Sequence, residues 1–515
     1  MPATKMVGLV ELLIAAAVST ATAQKEAPQA VLPALLPDFC CAALSRALPW
    51  SRLLFPHHTA FETRHSSYFN VNQQTINPSC IVQPRDHGEV ALAVAALTST
   101  SKFKPCKFAI RSGGHGTYAG ASNIDAGVVL DLKNLNTVKY DARNNLVDVG
   151  PGATWNDVYT TLEPLGIMIA GGRSSLVGVG GLTLGGGISY FSPEHGFVCD
   201  NVVEFSLVLA SGRFAFASKT SNPDLFMALK GGGNNFGVVI SFAFRAFKYS
   251  GMWGGLVVYP ETTMHDQFKA LVNFANKIEK NPKGAAIVMS VYQSTVGVPL
   301  VSNAYDYAEP VSRPAAYDEF FAIPGVIADT TGIRNMSSIA QEWEGVTTHS
   351  VFFGTLTFAN DLRVMKQAHE IFKDVLSHLK TKATGDWGIY TIYQPIPPAY
   401  WKDSEARGGN VLGFERFNNQ ALCLYLPYIS WQGAEQDALF QASGAELIKR
   451  IRKYAESIGA DNPFLYLNYA DKTQDPLATY GAANVERIRA VAKKYDPHEF
   501  LQNLVPGGFK IANVS

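Results

Sequence analysis

A glycine-rich stretch at residues 108–120 constrains this 515-residue chain more than any other feature. Its start, Phe108-Ala-Ile110, is an apolar run that predicts a buried strand ending at Arg111. Glycines follow at positions 113, 114, 116 and 120, and they let the backbone turn and approach a ligand where a Cβ would not fit. Consecutive exposed N–H groups in such a loop form a concavity that suits a phosphate or pyrophosphate.

A second glycine-rich loop follows at residues 178–187, with the sequence Gly178-Val-Gly-Gly-Leu-Thr-Leu-Gly-Gly-Gly187. A single loop of this kind is more often a surface turn than a binding site. Two such loops in one chain, the first with His115 between its glycines, favour a binding site for a phosphate-containing ligand.

Three motifs in a fixed order carry a family resemblance: Arg111-Ser-Gly-Gly-His115, Val177-Gly-Val-Gly-Gly181 and Gly185-Gly-Gly187. They resemble the FAD-linked oxidases of the berberine bridge enzyme type, in the vanillyl-alcohol oxidase and para-cresol methylhydroxylase (PCMH) superfamily, and especially secreted members of fungal type. The resemblance extends from Cys40 to Lys510. It implies an α+β fold, in which a PCMH-type FAD-binding domain joins an α/β substrate domain whose antiparallel sheet roofs the flavin.

The N-terminus predicts a secretory signal peptide, and hence a secreted protein. Lys5 precedes an apolar run at residues 7–18, which is too short to span a bilayer, and Ala21-Thr-Ala23 is a small-residue cleavage site. The rest of the chain divides by pattern and by the resemblance. We expect an arm at 24–75, the FAD-binding domain at 76–250, the substrate domain at 251–460, and a segment at 461–515 that returns to the FAD-binding domain.

Regular patterns begin near residue 80. A strand at 80–84, a helix at 88–97 and a strand at 107–110 predict a βαβ unit with its ligand loop at the carboxyl end of the second strand. In the substrate domain, residues 286–291, 351–358 and 422–428 are predicted strands. Amphipathic helices are predicted at 268–280, 364–379 and 435–458.

The charge of the chain bears on its binding partners, and its cysteines bear on its disulfides. With 43 basic and 43 acidic residues, the chain has no electrostatic basis for binding nucleic acid or a membrane surface. In a secreted chain, Cys40 and Cys41 could each pair with one of Cys80 and Cys106, or Cys80 could pair with Cys106 because they open consecutive strands. The sequence leaves both alternatives open. Glycosylation sequons begin at two asparagines, Asn335 and Asn513.

Other catalytic signatures are missing from the sequence. It contains no G-x-S-x-G nucleophile motif, no H-E-x-x-H, no C-x-x-C and no Walker A motif. The pair His57-His58 has no further ligand at metal-binding spacing, so no metal site is predicted.

Flavin chemistry requires a pyrophosphate cradle, a fixed ring and a base. The resemblance implies that His115 is bonded covalently to the flavin 8α-methyl group. Many relatives add a second bond from a cysteine to flavin C6; Ser174 occupies that position, so a single link is expected. The remaining predicted cofactor-binding residues are Arg111, Ser112, Gly113, Gly114, Gly116, Gly178, Gly180, Gly181, Val239 and Asn468.

The resemblance also suggests residues for catalysis. Tyr466 matches a tyrosine that lies over the flavin, and it needs a neighbouring cation or donor to lower its pKa if it is to act as the base. Tyr118 lies three residues after His115, whereas many relatives have a tyrosine two residues after. Val177 matches the position where O₂ meets the flavin, and its small side chain favours an oxidase. Further candidates on predicted substrate-facing strands are Glu415, Tyr425 and Tyr428.

The function expected from these residues is that of an FAD-dependent oxidase. It takes hydride from a small organic substrate, an alcohol, an amine or an activated C–H carbon, and passes the electrons to O₂ to give H₂O₂. We expect a monomer whose partners are the substrate and O₂. The alternatives are a carbohydrate oxidase and a flavin-binding protein of the same fold without significant turnover.

Overall fold

The computed structural model describes residues 38–99, 105–345 and 348–514. The predicted signal peptide at 1–23 lies outside this part of the chain. Within it, no helix is both long enough and apolar enough to cross a membrane.

Over the described residues the chain folds into 21 strands and 15 α-helices, with short 3₁₀ turns between them. The strands are β1 Leu53–Leu54, β2 Cys80–Val82, β3 Phe108–Arg111, β4 Val128–Asp131, β5 Val138–Asp141, β6 Leu146–Val149, β7 Ile167–Met168, β8 Val202–Val208, β9 Phe214–Ser218, β10 Val238–Arg245, β11 Phe247–Lys248, β12 Met252–Pro260, β13 Gly284–Gln293, β14 Leu300–Tyr307, β15 Ala328–Asp329, β16 Gly332–Arg334, β17 Ser350–Phe353, β18 Leu356–Ala359, β19 Trp387–Ile396, β20 Leu422–Trp431 and β21 Asp461–Asn462. The helices are α1 Phe39–Ala47, α2 Thr59–His65, α3 Val71–Gln74, α4 His87–Ser99, α5 Trp155–Leu162, α6 Val179–Leu184, α7 Ser192–His195, α8 Pro223–Leu229, α9 Met264–Asn276, α10 Asp318–Phe321, α11 Met336–Gln341, α12 Leu362–Lys382, α13 Asp437–Ser457, α14 Ala482–Tyr495 and α15 Phe500–Asn503.

The first sheet has the strand order β1-β2-β4-β3, with β2, β4 and β3 parallel. The predicted unit of β2, α4 and β3 is present, but β4 inserts between its two strands. Cys80 and Cys106 are therefore not neighbours, and the disulfides are Cys40–Cys106 and Cys41–Cys80. Both cystines tie α1 to this sheet, and all four cysteines are buried.

The second sheet is antiparallel, with the order β5-β6-β10-β8-β9. Helix α5 packs on its core through Trp155 and Tyr159, and Thr154 at its N-terminus forms a capping box with Asp157. The turn after this helix leads to the second glycine loop. This sheet therefore supports one side of the site described below.

A large antiparallel sheet makes up the second region, with β12-β14-β13-β19-β20-β18 at its centre. Alternate side chains bury one face against α9, α12 and α13. The predicted strand at 351–358 is instead two strands, β17 and β18, both paired with β20. Gly354 lies in the break between them, and a Cβ on it would collide with Ile448 of α13.

The C-terminal segment packs against the N-terminal half of the chain. The backbone N–H of Phe108 donates to the carbonyl of Leu504 at 2.8 Å, and Lys494 on α14 forms an ion pair with Asp224 on α8 at 2.6 Å. The overall architecture is an α+β fold in which the glycine loops lie opposite the free face of the large sheet.

Candidate functional site

A cavity of about 640 Å³ lies between the glycine loops and the large sheet. Both loops, the C-terminal segment around Tyr466 and the free face of the sheet contribute to its walls. Apart from the further candidates Glu415, Tyr425 and Tyr428, the sequence analysis assigned fifteen residues to cofactor binding or catalysis, and all of these except Arg111 line this cavity.

The two glycine loops touch backbone to backbone. A Cβ on Gly113 would lie 2.6 Å from the amide nitrogen of Gly178, and a Cβ on Gly178 would collide with Gly113 in the same way. Ser112 fixes the same junction, since its Oγ donates to the carbonyl of Pro151 at 2.5 Å. Glycine is therefore required at both positions for this close approach.

Gly181 is a glycine that no described protein contact requires. It lines the cavity, and a Cβ on it would meet no described atom within 4 Å. Its bare backbone faces the cavity, which leaves room for a ligand to approach closely.

His115 lies in the cavity wall with its ring stacked on Phe69. The ring centroids are 3.9 Å apart and the planes differ by 12°. Burial lowers the pKa of His115 to about 4, because a desolvated imidazolium loses hydration that the surrounding apolar groups do not replace. The imidazole is therefore neutral at physiological pH and keeps a nitrogen lone pair.

Arg111 differs from its predicted role. Its guanidinium donates to the carbonyl of Arg64 at 2.7 Å and to the Ser67 hydroxyl at 2.9 Å, and it lies 3.5 Å from the ring centre of Tyr68. The prediction that Arg111 binds the cofactor is thus not supported by its position. Its side chain anchors the first glycine loop to the arm.

Ser174 and Val177 both line the cavity from the segment that leads into the second loop. The Ser174 hydroxyl donates to the carbonyl of Trp343 at 3.1 Å, and the Ser175 amide donates to the carbonyl of Ala340 at 3.1 Å. These bonds attach the segment before the second glycine loop to α11 and to the turn that follows that helix. Cys199, the nearest cysteine along the chain, is buried and is not among the described residues that line the cavity.

Tyr466 and Asn468 line the cavity as a hydrogen-bonded pair. Asn468 Nδ2 donates to the Tyr466 hydroxyl at 3.0 Å and to the carbonyl of Leu182 at 2.9 Å. Burial raises the pKa of Tyr466 well above its usual value, and the charge of Arg173 only partly opposes this. The cation that a basic Tyr466 would need is therefore not in contact with it.

That cation instead contacts Tyr469, which the sequence analysis did not single out. Arg173 Nη2 donates to the Tyr469 hydroxyl, and Nη1 donates to Gln394 Oε1 at 2.8 Å. All three residues belong to the same end of the site. The charge of the guanidinium makes this a charge-assisted hydrogen bond, which fixes the position of the phenol oxygen.

Of the four remaining candidates, two line the cavity and two do not. Tyr118 lines the cavity and contacts the Phe509 ring edge-on, and burial raises its pKa. Tyr428 also lines the cavity, but Tyr425 faces the opposite side of β20 and packs against Tyr393 in the helix-covered core. Glu415 is exposed in a 3₁₀ turn, so its predicted place on a substrate-facing strand is wrong.

The comparisons with known proteins agree with this architecture. The FAD binding domain family matches residues 78–217. The FAD-dependent monooxygenase sdcF of Emericella nidulans is 40% identical over 481 residues, which cover 93% of this chain and 99% of the relative. The FAD-dependent monooxygenase drtC of Aspergillus calidoustus is 38% identical over 477 residues, covering 92% of this chain and 90% of the relative.

Two solved structures share the fold. The xylooligosaccharide oxidase of Myceliophthora thermophila C1 has a TM-score of 0.73 at 22% identity and covers 90% of this chain and 97% of its own. The wild-type BBE-like 1 protein of Physcomitrella patens has a TM-score of 0.70 at 19% identity, with 90% and 97% covered. At this identity the likeness establishes the fold alone.

Proposed function

Because this chain belongs to the family of FAD-dependent oxidoreductases that contains sdcF and drtC and has the fold of the BBE-like proteins, we propose that it is an oxidase of a small organic substrate. It takes hydride from an alcohol, an amine or an activated C–H carbon and transfers the two electrons to O₂, which becomes H₂O₂. The observation that carries the proposal is the single cavity that joins both glycine loops, His115, Val177 and the Arg173–Tyr469 pair.

The residues at the glycine loops fit FAD. Gly181 exposes bare backbone to the cavity without any described contact that demands a glycine there, and Gly113 and Gly178 bring two loops of backbone N–H groups together. Such groups suit a pyrophosphate. FAD, when bound, supplies the acceptor for hydride and the route for electrons to O₂.

One covalent bond through His115 holds the cofactor in this proposal. The lowered pKa keeps the imidazole neutral and nucleophilic, and the stack on Phe69 fixes the plane of the ring. Ser174 occupies the place of the second link in bicovalent relatives and donates to Trp343. A hydroxyl there lacks the nucleophilicity of a thiolate, so no second bond forms.

Tyr469 is the proton acceptor in this proposal. Its oxygen receives a hydrogen bond from Arg173, and Gln394 holds the other arm of that guanidinium. Tyr466 lies beside Tyr469 with ring centroids 4.9 Å apart, and it positions that ring edge-on. Val177 leaves space for O₂ in the cavity wall.

The test is to measure O₂ consumption and H₂O₂ formation by purified holoprotein with a panel of alcohols, amines and sugars. An oxidase gives one H₂O₂ for each substrate oxidised, and product formed under ¹⁸O₂ contains no label. Label in the product would instead establish a monooxygenase, which is how the relatives sdcF and drtC are named. Reduced flavin that reoxidises slowly in air but quickly with a quinone would establish a dehydrogenase.

A further inference from the structure

The free face of the large sheet forms an apolar floor in the cavity. Strands β12, β13 and β14 direct every second residue into it, which places six aliphatic side chains side by side: Leu256, Val258, Ile287, Met289, Val291 and Leu300. The polar side chains that these strands add to the lining are Gln293, which donates to the hydroxyl of Tyr390, and Ser302, so polar groups are a minority on the floor.

An aromatic wall borders this floor on the side of β19 and β20. Tyr390 and Tyr428 stack with ring centroids 5.0 Å apart, and Phe353 contacts Tyr428 edge-on at 5.1 Å. Phe353 also meets Phe69, the ring that stacks on His115. Such a wall packs well against flat unsaturated groups.

The register of the strands shows which end of the floor lies near Arg173. Gln394, which holds Arg173, lies at one end of β19, and Tyr390 pairs with Val291 toward the other end. Beyond Gln293 the chain turns at Val296 and Val298, which line the cavity, and Val298 is 54% exposed. From Ile287 to Gln293 the floor is about 20 Å long, at about 3.3 Å per residue.

From this geometry we infer that the substrate is an elongated apolar molecule and not a saccharide. Its reacting group lies at the Arg173–Tyr469 end, and its body extends along β13 and β19 to the opening at Val298. A saccharide would bury many hydroxyls against the floor, and each hydroxyl without a partner costs binding free energy. The inference rests on the proposed function in taking this cavity as the substrate site.

The experiment measures binding of 4-alkylbenzyl alcohols with tails of two to eight carbons to the holoprotein, through the absorbance change of the oxidised flavin that precedes its reduction in anaerobic stopped flow. Each added methylene should lower Kd about fourfold until the tail reaches the opening. Xylobiose and cellobiose should give no saturable change. A Kd that does not depend on tail length, or saturable saccharide binding tighter than that of the octyl compound, would overturn the inference.

Three variants locate the tail. Val298→Asp, at the opening, should weaken the octyl compound at least tenfold and leave the ethyl compound within twofold. Met289→Gln, nearly the same shape but polar, should reduce the gain per methylene. Ile333→Asp is the control, since Ile333 is 60% exposed and outside the cavity lining. Equal effects of Val298→Asp and Ile333→Asp would contradict the proposed path.

The outcomes separate this inference from the proposed function. Tail-dependent binding, with no O₂ consumption by any member of the panel of alcohols, amines and sugars, would refute the oxidase and still support an apolar substrate. Peroxide formation with the saccharides but not with the alkylbenzyl alcohols would support the oxidase and refute the substrate class.

Discussion

Replacing Tyr469 with phenylalanine should slow reduction of the flavin by substrate roughly 10²–10⁴-fold, the range for losing a general base. That range corresponds to about 3–5.5 kcal/mol in the activation free energy. The structural reason is that Tyr469→Phe removes the oxygen that accepts a hydrogen bond from Arg173, while the ring and its contact with Tyr466 remain. The assay is anaerobic stopped-flow absorbance of the oxidised flavin.

The variant should still fold and keep its flavin. One arm of Arg173 loses its partner, which costs about 1–3 kcal/mol when the donor is buried, and Gln394 still holds the other arm. His115 is unaffected, so the flavin remains attached. Substrate binding should change little, because the loss falls on the transition state.

Tyr466→Phe is the matched control. It removes one neutral hydrogen bond from Asn468, whose amide still donates to Leu182. Loss of such a bond is worth about 1 kcal/mol, or less than tenfold in rate. If Tyr466→Phe slows reduction more than Tyr469→Phe does, the argument from the Arg173 contact is wrong and Tyr466 is the base.

Three further results are expected. Val177→Leu should slow reoxidation of the reduced flavin by air and leave its reduction by substrate intact, because the added methylene fills space in the cavity wall; equal reoxidation rates would remove Val177 from oxygen access. Covalent attachment of FAD to apoprotein should proceed equally at pH 7.5 and 5.5 and decline only as the pH approaches 4, since the lowered pKa keeps His115 neutral above that value; a decline centred near pH 6.5 would contradict it. Replacing both Cys41 and Cys80 with serine should lower the free energy of unfolding by roughly 2–4 kcal/mol in denaturant titrations, because a 39-residue separation is no longer closed.

The local parts of the fold could be predicted from the sequence. The strand before the first glycine loop and the two loops themselves follow from short-range rules about glycine and periodicity. The contact between Gly113 and Gly178 joins segments that are distant in sequence. Short-range rules therefore predict two loops that suit the same kind of ligand, but they do not predict that the backbones of the two loops touch.

The errors have physical causes. Tyr425 and Tyr428 are three residues apart on one strand, so their side chains must face opposite sides of the sheet. The alternation of side chains along the strand could therefore have excluded one of them as a residue facing the substrate. Glu415 lies between Gly413 and Asn418, both with positive φ, which mark a turn. The contact of Arg173 with Tyr469 spans 296 residues, and no local pattern reports it.

The most direct test of the account is the fate of the flavin when the protein is precipitated with acid. Wild-type and Ser174→Ala protein should retain the yellow colour in the pellet, and a single tryptic peptide containing His115 should carry the mass of the flavin. His115→Ala should bind FAD and release it into the supernatant. Flavin in the pellet of His115→Ala, or flavin mass on a peptide that contains Cys199, would contradict the single attachment on which the proposed site is built.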